Sequence, residues 1–258
     1  MARILILMYH ILDRPMSEQE ARFCCTPEYF SEQMKYLANS DYELLTLDQI
    51  EETIKGQRHQ ERPGVAITFD DGFSDFHQNA LPILNQWKVP ATLFIVSRRI
   101  GESNDWMHSR GFPKRPLLSL EQLLEVRDAG ITIGSHTCTH ARLSEISPDK
   151  EKLDEELQTS KQELEEILEQ EVRHFAYPYG LYDAETVTAV KQAGYATACS
   201  VRSGFNRKGI DPHLLRRLEI YGSDTLWHFR QKLKFGVNDM SYSFPLKYYA
   251  SRILQRIS

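Results

Sequence analysis

Hydrophobic residues along this chain fall into short runs separated by longer stretches with helical spacing. The runs at 4–9, 65–70, 91–97, 131–135, 173–177, 195–200 and 215–220 read as strands, most of them apolar enough to be covered on both faces. Helical patterns follow most of them. Over 28–38, Phe30, Met34 and Leu37 share one face, and over 75–87 Phe76, Ala80, Ile83 and Leu84 do the same. Ser119 caps a helix over 119–129 that carries Leu120, Leu123, Leu124 and Val126, and Gly130 stops it. Ser147-Pro148 opens a longer helix over 148–170, where Leu153, Leu157, Leu164 and Leu168 form one apolar stripe. Its charged remainder predicts a solvated outer helix. Strands alternating with helices predict an α/β protein with a parallel sheet or barrel. The segment 98–116, with Gly101, Asn104, Gly111, Pro113 and Pro116, reads as a long exposed loop of the kind that shapes a site. No repeat or linker interrupts the pattern, so residues 1–258 are expected to form one domain.

Two of the predicted strands end in chemistry. Val65-Ala66-Ile67-Thr68-Phe69 runs into Asp70-Asp71-Gly72, and adjacent carboxylates ionise together only at a cost unless a cation sits beside them. Ile131-Thr132-Ile133-Gly134-Ser135 runs into His136-Thr137-Cys138-Thr139-His140. One carboxylate and two imidazoles make an open metal triad, which leaves the other carboxylate free to act as a base on water. Barrel enzymes deliver catalytic groups from the C-terminal ends of their strands, so separate segments can bring these residues together.

Composition narrows the partners. The 258 residues carry a net charge of −5. Lys and Arg are scattered apart from Arg98-Arg99, so no basic field is expected for nucleic acid or an anionic membrane. The run Ile4-Leu5-Ile6-Leu7-Met8 is too short to span a bilayer and lacks a cleavage signature. Cys24, Cys25, Cys138 and Cys199 form no CxxC pair. These features predict a cytoplasmic protein with reduced thiols. No protein partner can be inferred.

Thr68-Phe69-Asp70-Asp71-Gly72 and Ser135-His136-Thr137-Cys138-Thr139-His140 resemble the first two motifs of the polysaccharide deacetylases, carbohydrate esterase family 4 (the NodB homology domain). Phe175-Ala176-Tyr177-Pro178-Tyr179-Gly180 is similar to a third. The resemblance implies a deformed (β/α)7-type barrel, with the motifs in a core over about 4–220 and a helical tail over about 223–258. It also implies one divalent metal ion held by Asp71, His136 and His140, with Asp70 as general base and the backbone N–H of Tyr179 as oxyanion donor. Zinc is the preferred metal, and iron, cobalt or nickel suit the same ligands. Cys138 is expected to face away from the histidines.

Ala176 departs from the family pattern, in which an arginine at that place commonly holds the base. The Asp-Trp element that usually supports that arginine is also missing downstream, since Asp105-Trp106 lies in the long loop. Arg217, in Leu214-Leu215-Arg216-Arg217-Leu218-Glu219-Ile220, is the better substitute, and a structural salt bridge is its alternative. Arg173 lies on the wrong strand face for the task. The leaving amine needs a proton donor. Leu226-Trp227-His228 is the late match to the family's Leu-x-His pattern, but it reads as the start of a helix. Ile4-Leu5-Ile6-Leu7-Met8-Tyr9-His10 resembles that strand moved to the front, as in the permuted branch that includes poly-N-acetylglucosamine deacetylases. His10 is therefore the expected general acid. His59, His77, His108, His174 and His213 receive structural readings, and Asp105, Trp106 and Tyr182 are candidate sugar contacts with packing as the alternative.

The activity implied is hydrolysis of N-acetyl groups on an acetamido-sugar in a saccharide, glycolipid or nucleotide sugar. The alternatives are hydrolysis of a non-sugar amide or cyclic imide on the same fold, and a carbohydrate-binding pseudoenzyme suggested by Ala176.

Overall fold

The structure is a computed structural model that describes residues 3–239 and 241. Among these residues, eight strands form one parallel sheet: β1 (Ile4–Tyr9), β2 (Glu43–Leu44), β3 (Gly64–Phe69), β4 (Ala91–Ile95), β5 (Thr132–Ser135), β6 (His174–Ala176), β7 (Thr197–Cys199) and β8 (Leu218–Glu219). Seven run in the order β7-β6-β5-β4-β3-β1-β8, and β2 pairs with the start of β3. The sheet curls until its ends approach, where Leu215 N–H donates to Ala198 O at 2.9 Å and Ser200 N–H to Leu215 O at 2.8 Å. The result is the deformed barrel in one domain that the motifs imply.

All six residues of β1 and of β3 are buried, as continuous apolar strands of a parallel sheet require. Their two faces serve different cores. Leu5, Leu7, Tyr9, Val65, Ile67 and Phe69 pack outward against Phe30, Met34 and Leu37 of α1 (Pro27–Ala38). Ile4, Ile6 and Ala66 face inward, with Phe94, Ala176, Cys199 and Leu215. Leu47, Ile50 and Ile54 of α2 (Leu47–Lys55) join that inner cluster and close the floor of the barrel. Gly134 in β5 is required by crowding, because a Cβ there would lie 2.5 Å from the Phe94 ring and 2.9 Å from His174 O.

Register then sets the site. Tyr9 stands opposite Phe69, so His10 and Asp70 leave their strands at one level, and Asp70 N–H donates to Tyr9 O at 3.0 Å. Ser135 stands opposite both Ile95 and Phe175, which brings His136 beside Ala176.

Some elements differ from the sequence reading. The helix expected over 148–170 spans Lys150–Leu168 and contains one wider π turn over Glu155–Thr159. The segment 98–116 is no simple exposed loop. It contains a 3-10 turn over Asp105–Arg110 and buries Asn104, Met107, Phe112 and Arg115. Its anchor is Arg115, whose guanidinium forks onto Glu20 at 2.8 Å twice and reaches Asp13 at 3.1 Å. That contact spans 95 residues of sequence. The tail expected over 223–258 is helical over Leu226–Phe235, and from residue 242 onward it lies outside the described residues.

Candidate active site

Strand alternation carries Ala66 and Thr68 on to Asp70, and Leu215 on to Arg217, on the inward face. There the two side chains meet. Arg217 Nη1 lies 2.6 Å from Asp70 Oδ1 and Nη2 lies 2.7 Å from Oδ2. Arg217 Nε donates to Ser200 O at 3.0 Å. Arg217 is 0 % exposed and Asp70 3 %. Burial alone would raise the Asp70 carboxyl, but Arg217 and then His136 outweigh it and hold it below the usual range. Asp70 is thus a carboxylate at neutral pH. Arg173, by contrast, points to the outside and pairs with Asp48 and Glu51.

Asp71 turns away from Asp70 on a left-handed backbone with φ 76°. Its Oδ1 lies 3.4 Å from His136 Nε2 and 3.1 Å from His140 Nε2, and ligand atoms of the three residues fall within 4.8 Å of one another. The donor chemistry fits a cation. Asp71 Oδ1 is buried without a hydrogen-bond partner among the described residues. His136 Nδ1 sits 2.7 Å from Ala176 O, which assigns the proton to Nδ1 and leaves the Nε2 lone pair facing Asp71. The two imidazoles, chiefly His140, hold the Asp71 carboxyl well below its usual range against the opposing effect of burial.

Backbone strain gathers at this mouth. Besides Asp71, Thr137 (φ 71°), His140 (φ 64°) and Tyr179 (φ 58°) adopt left-handed conformations, each costing on the order of 1 kcal/mol for a residue with a Cβ. The 136–140 turn is fixed by His140 N–H donating to Thr137 Oγ1 at 2.9 Å and by Thr139 N–H donating to Glu156 at 3.0 Å. Cys138 points the other way, with Sγ 3.5 Å from Glu155 O. Pro178 and Gly180 bracket Tyr179, and a Cβ on Gly180 would collide with Val201 at 2.2 Å. The Tyr179 ring meets His140 edge to face at 4.6 Å, and Trp106 stacks on His140 at 4.7 Å.

One cavity of about 330 Å³ receives His10, Asp70, Asp71, His136, His140, Trp106 and Tyr179. His10 is half-buried at its edge, held against Phe23 at 5.3 Å. His228 is elsewhere, in the first turn of α3 (Leu226–Phe235), where it completes a capping box with Thr225. Asp105 bonds Ser103 and does not line the cavity, and Tyr182 packs on Tyr177. His77 pairs with Glu125, His174 with Thr197 and His213 with Tyr195 O.

The polysaccharide deacetylase family model matches residues 57–198, more than half of the chain. The chain belongs to the polysaccharide deacetylases. It is 27% identical over 219 residues to YxkH of Bacillus subtilis, which carries the same family description, covering 85% of this chain and 72% of YxkH. It is 28% identical over 185 residues to a poly-beta-1,6-N-acetyl-D-glucosamine N-deacetylase of Staphylococcus aureus, covering 69% of this chain. The match spans 61% of that enzyme's length. The Streptococcus pyogenes deacetylase PplD, solved with acetate, superposes with a TM-score of 0.76 at 25% identity over 90% of this chain and 98% of PplD.

In this polysaccharide deacetylase several wall residues escaped the sequence reading. Phe23, Phe73, Met107, Arg110 and Phe112 line the cavity, and Glu219 stands on it paired with Arg22 at 2.7 Å. Glu219 was legible, since it continues the inward face of Leu215 and Arg217. Phe73 directly follows Gly72, whereas Phe23, Met107, Arg110 and Phe112 lie on the two segments that Arg115 and Glu20 fasten together, a contact no local pattern announces.

Proposed function

We propose that this protein is a metal-dependent hydrolase that removes the N-acetyl group from an acetamido-sugar. The observation that carries the reading is the convergence of an ionised, arginine-clamped Asp70 with the Asp71–His136–His140 cluster on one cavity. Asp71, His136 and His140 would hold a divalent ion, with zinc preferred. Bound there, it supplies positive charge that polarises a carbonyl and acidifies water. Asp70 accepts the proton of the attacking water as oxygen bonds to the acetyl carbon. The Tyr179 N–H donates to the carbonyl oxygen as negative charge develops on it. His10 then protonates the sugar nitrogen as the C–N bond breaks, and acetate and the free amine leave. Arg217 is a positioning residue that keeps Asp70 ionised and aimed. The aromatic wall of Trp106, Phe23 and Phe112 gives a pyranose face something to stack on and keeps bulk water from the leaving group.

The test is acetate release from a panel of N-acetylglucosamine oligomers, lipid-linked acetamido-sugars and nucleotide sugars, using protein reloaded with zinc. Release from at least one class is expected. Metal-loaded, folded protein that frees no acetate from any of them would overturn the reading.

A further inference from the structure

A net charge of −5 predicts no basic field, yet the fold builds one at the end of the barrel opposite the cavity. Arg3 precedes β1, whose six residues carry the chain about 20 Å to His10. Around Arg3, two depressions adjoin through the shared ring of Phe205. Arg3, Arg230 and Lys234 line the first, and Arg207, Lys208 and Arg216 line the second. All six side chains are exposed. Among the described residues no carboxylate lines either depression, although the protein has 36 acidic residues against 31 Lys and Arg. Three of the cations lie along aromatic rings: Arg3 on Phe205 at 5.5 Å, Arg230 on Tyr36 at 5.4 Å and Lys234 on Phe235 at 5.3 Å. Cations thus overlie these rings, and Arg3, Arg207, Lys208, Arg216 and Arg230 present positive charge at the surface.

The sequence that follows α3 extends the same chemistry. After Asp239 the chain contains Lys247, Arg252 and Arg256 and no acidic residue, interspersed with Phe244, Leu246, Ile253, Leu254 and Ile257. Cations mixed with large apolar residues suit the boundary of an anionic bilayer, where charge meets headgroups and apolar groups enter the acyl region. A nucleic acid would use the charge and leave the apolar residues without a role. We propose that the N-terminal end of the barrel, framed by Arg3, Arg207, Lys208, Arg216 and Arg230, docks on an anionic phospholipid surface. Docking there leaves the catalytic mouth facing away from the lipid.

Vesicle co-sedimentation tests this with the full chain and needs neither metal nor sugar. Wild-type protein is expected to sediment with phosphatidylglycerol–phosphatidylcholine vesicles and to stay in solution with pure phosphatidylcholine. Raising salt to about 0.5 M should release it, because screening shortens the reach of each charge. Arg207→Glu/Lys208→Glu/Arg230→Glu should weaken binding at least about tenfold. The milder pair Arg207→Gln/Lys208→Gln gives a smaller loss in the same direction if the triple variant folds poorly, with folding read from the melting temperature. No sedimentation with anionic vesicles, or undiminished binding by both folded variants, would overturn the proposal. So would tighter binding to single- or double-stranded nucleic acid than to the vesicles at equal salt.

Discussion

Arg217 and Asp70, 147 residues apart in the chain, meet as a two-pronged ion pair with both side chains sealed from solvent. Such a pair fixes both the charge and the direction of the carboxylate. Removing the guanidinium leaves a buried anion alone, which costs on the order of 3–5 kcal/mol. Arg217→Met should therefore lower kcat at least about 10²-fold, the scale of general-base catalysis, with KM changed much less. Arg217→Lys restores charge without the fork and should recover part of kcat. Arg216 is exposed on the opposite face, so Arg216→Met should leave kcat near wild type. Equal, small effects at both positions would return Arg217 to a structural role.

The two adjacent aspartates should separate in a metal assay. Asp71 offers an unpartnered buried oxygen to the two imidazoles, whereas both oxygens of Asp70 are taken by Arg217. Protein purified without chelator should contain about one divalent ion per chain by elemental analysis, and lose it in His136→Ala, His140→Ala and Asp71→Asn. Asp70→Asn should keep the ion while turnover falls at least about 10²-fold. Loss of the metal in Asp70→Asn with retention in Asp71→Asn would exchange the two roles.

Arg115 is 4 % exposed and Glu20 1 %, and their pair ties the two segments that wall the cavity. Arg115→Met strands the Glu20 carboxylate, and urea unfolding should report a loss of about 3–5 kcal/mol. Arg115→Met/Glu20→Gln should regain a large part of it, because neither charge is then left alone. Simple additivity of the two single variants would show that the ion pair is not what holds the segments together.

Asp75 makes stability pH-dependent with an unusual sign. Burial pushes its carboxyl up to about 6, against the pull of the Leu12 N–H that donates to it at 2.5 Å. The folded state therefore holds this proton more tightly than the unfolded chain, where an aspartate titrates near 3.8. Its contribution is fully present below about pH 4 and is lost as pH rises through about 6. A two-unit difference corresponds to roughly 3 kcal/mol. Asp75→Asn keeps an acceptor for Leu12 and cannot ionise, so it should gain stability over wild type at pH 8 and show little gain at pH 4. Urea melts at both values read the difference, and an equal effect at the two would remove the titration argument.

What the amino-acid sequence shows of this fold is what is local. The apolar runs gave seven of the eight strands, because a parallel strand covered on both faces writes itself as a continuous run. β2 was not legible, since Glu43-Leu44 is two residues long and exists only by pairing with β3. α2 was missed although Thr46 and Gln49 form a capping box and Leu47, Ile50 and Ile54 have helical spacing. Its role in closing the barrel floor is a tertiary fact. At the site, each motif residue stands at a strand end, so Asp70, Asp71, His136 and His140 could be placed together by topology. Arg217 could be chosen over Arg216 by alternation alone. The cavity walls could not, because they hang on Arg115 and Glu20 meeting across two segments with no period of their own. The basic face shows the same limit, since Arg3, Arg207 and Arg230 are far apart in sequence and become neighbours only in the barrel.

His10 is the sharpest remaining assignment. Parallel pairing of β1 with β3 sets His10 at the level of Asp70, and the inward face that carries Ile4 and Ile6 continues to it. It lines the cavity with its ring against Phe23, on the same cavity as Asp70 and the Asp71–His136–His140 cluster, where a leaving nitrogen would come. His228 offers none of this. It belongs to α3 and spends its ring nitrogen on Thr225, with Nδ1 2.9 Å from Thr225 Oγ1. His10→Ala should therefore abolish most acetate release while the metal stays bound, because it removes a proton donor and no ligand. A substrate analogue with a better leaving group, an acetylated phenol in place of the amide, needs less protonation and should be hydrolysed by His10→Ala much closer to the wild-type rate. His228→Ala should lose helix stability by about 1 kcal/mol at most and keep activity. Full deacetylation by His10→Ala, or a collapse of activity in folded His228→Ala, would mean that the proton comes from the late helix and that the first strand serves the barrel alone.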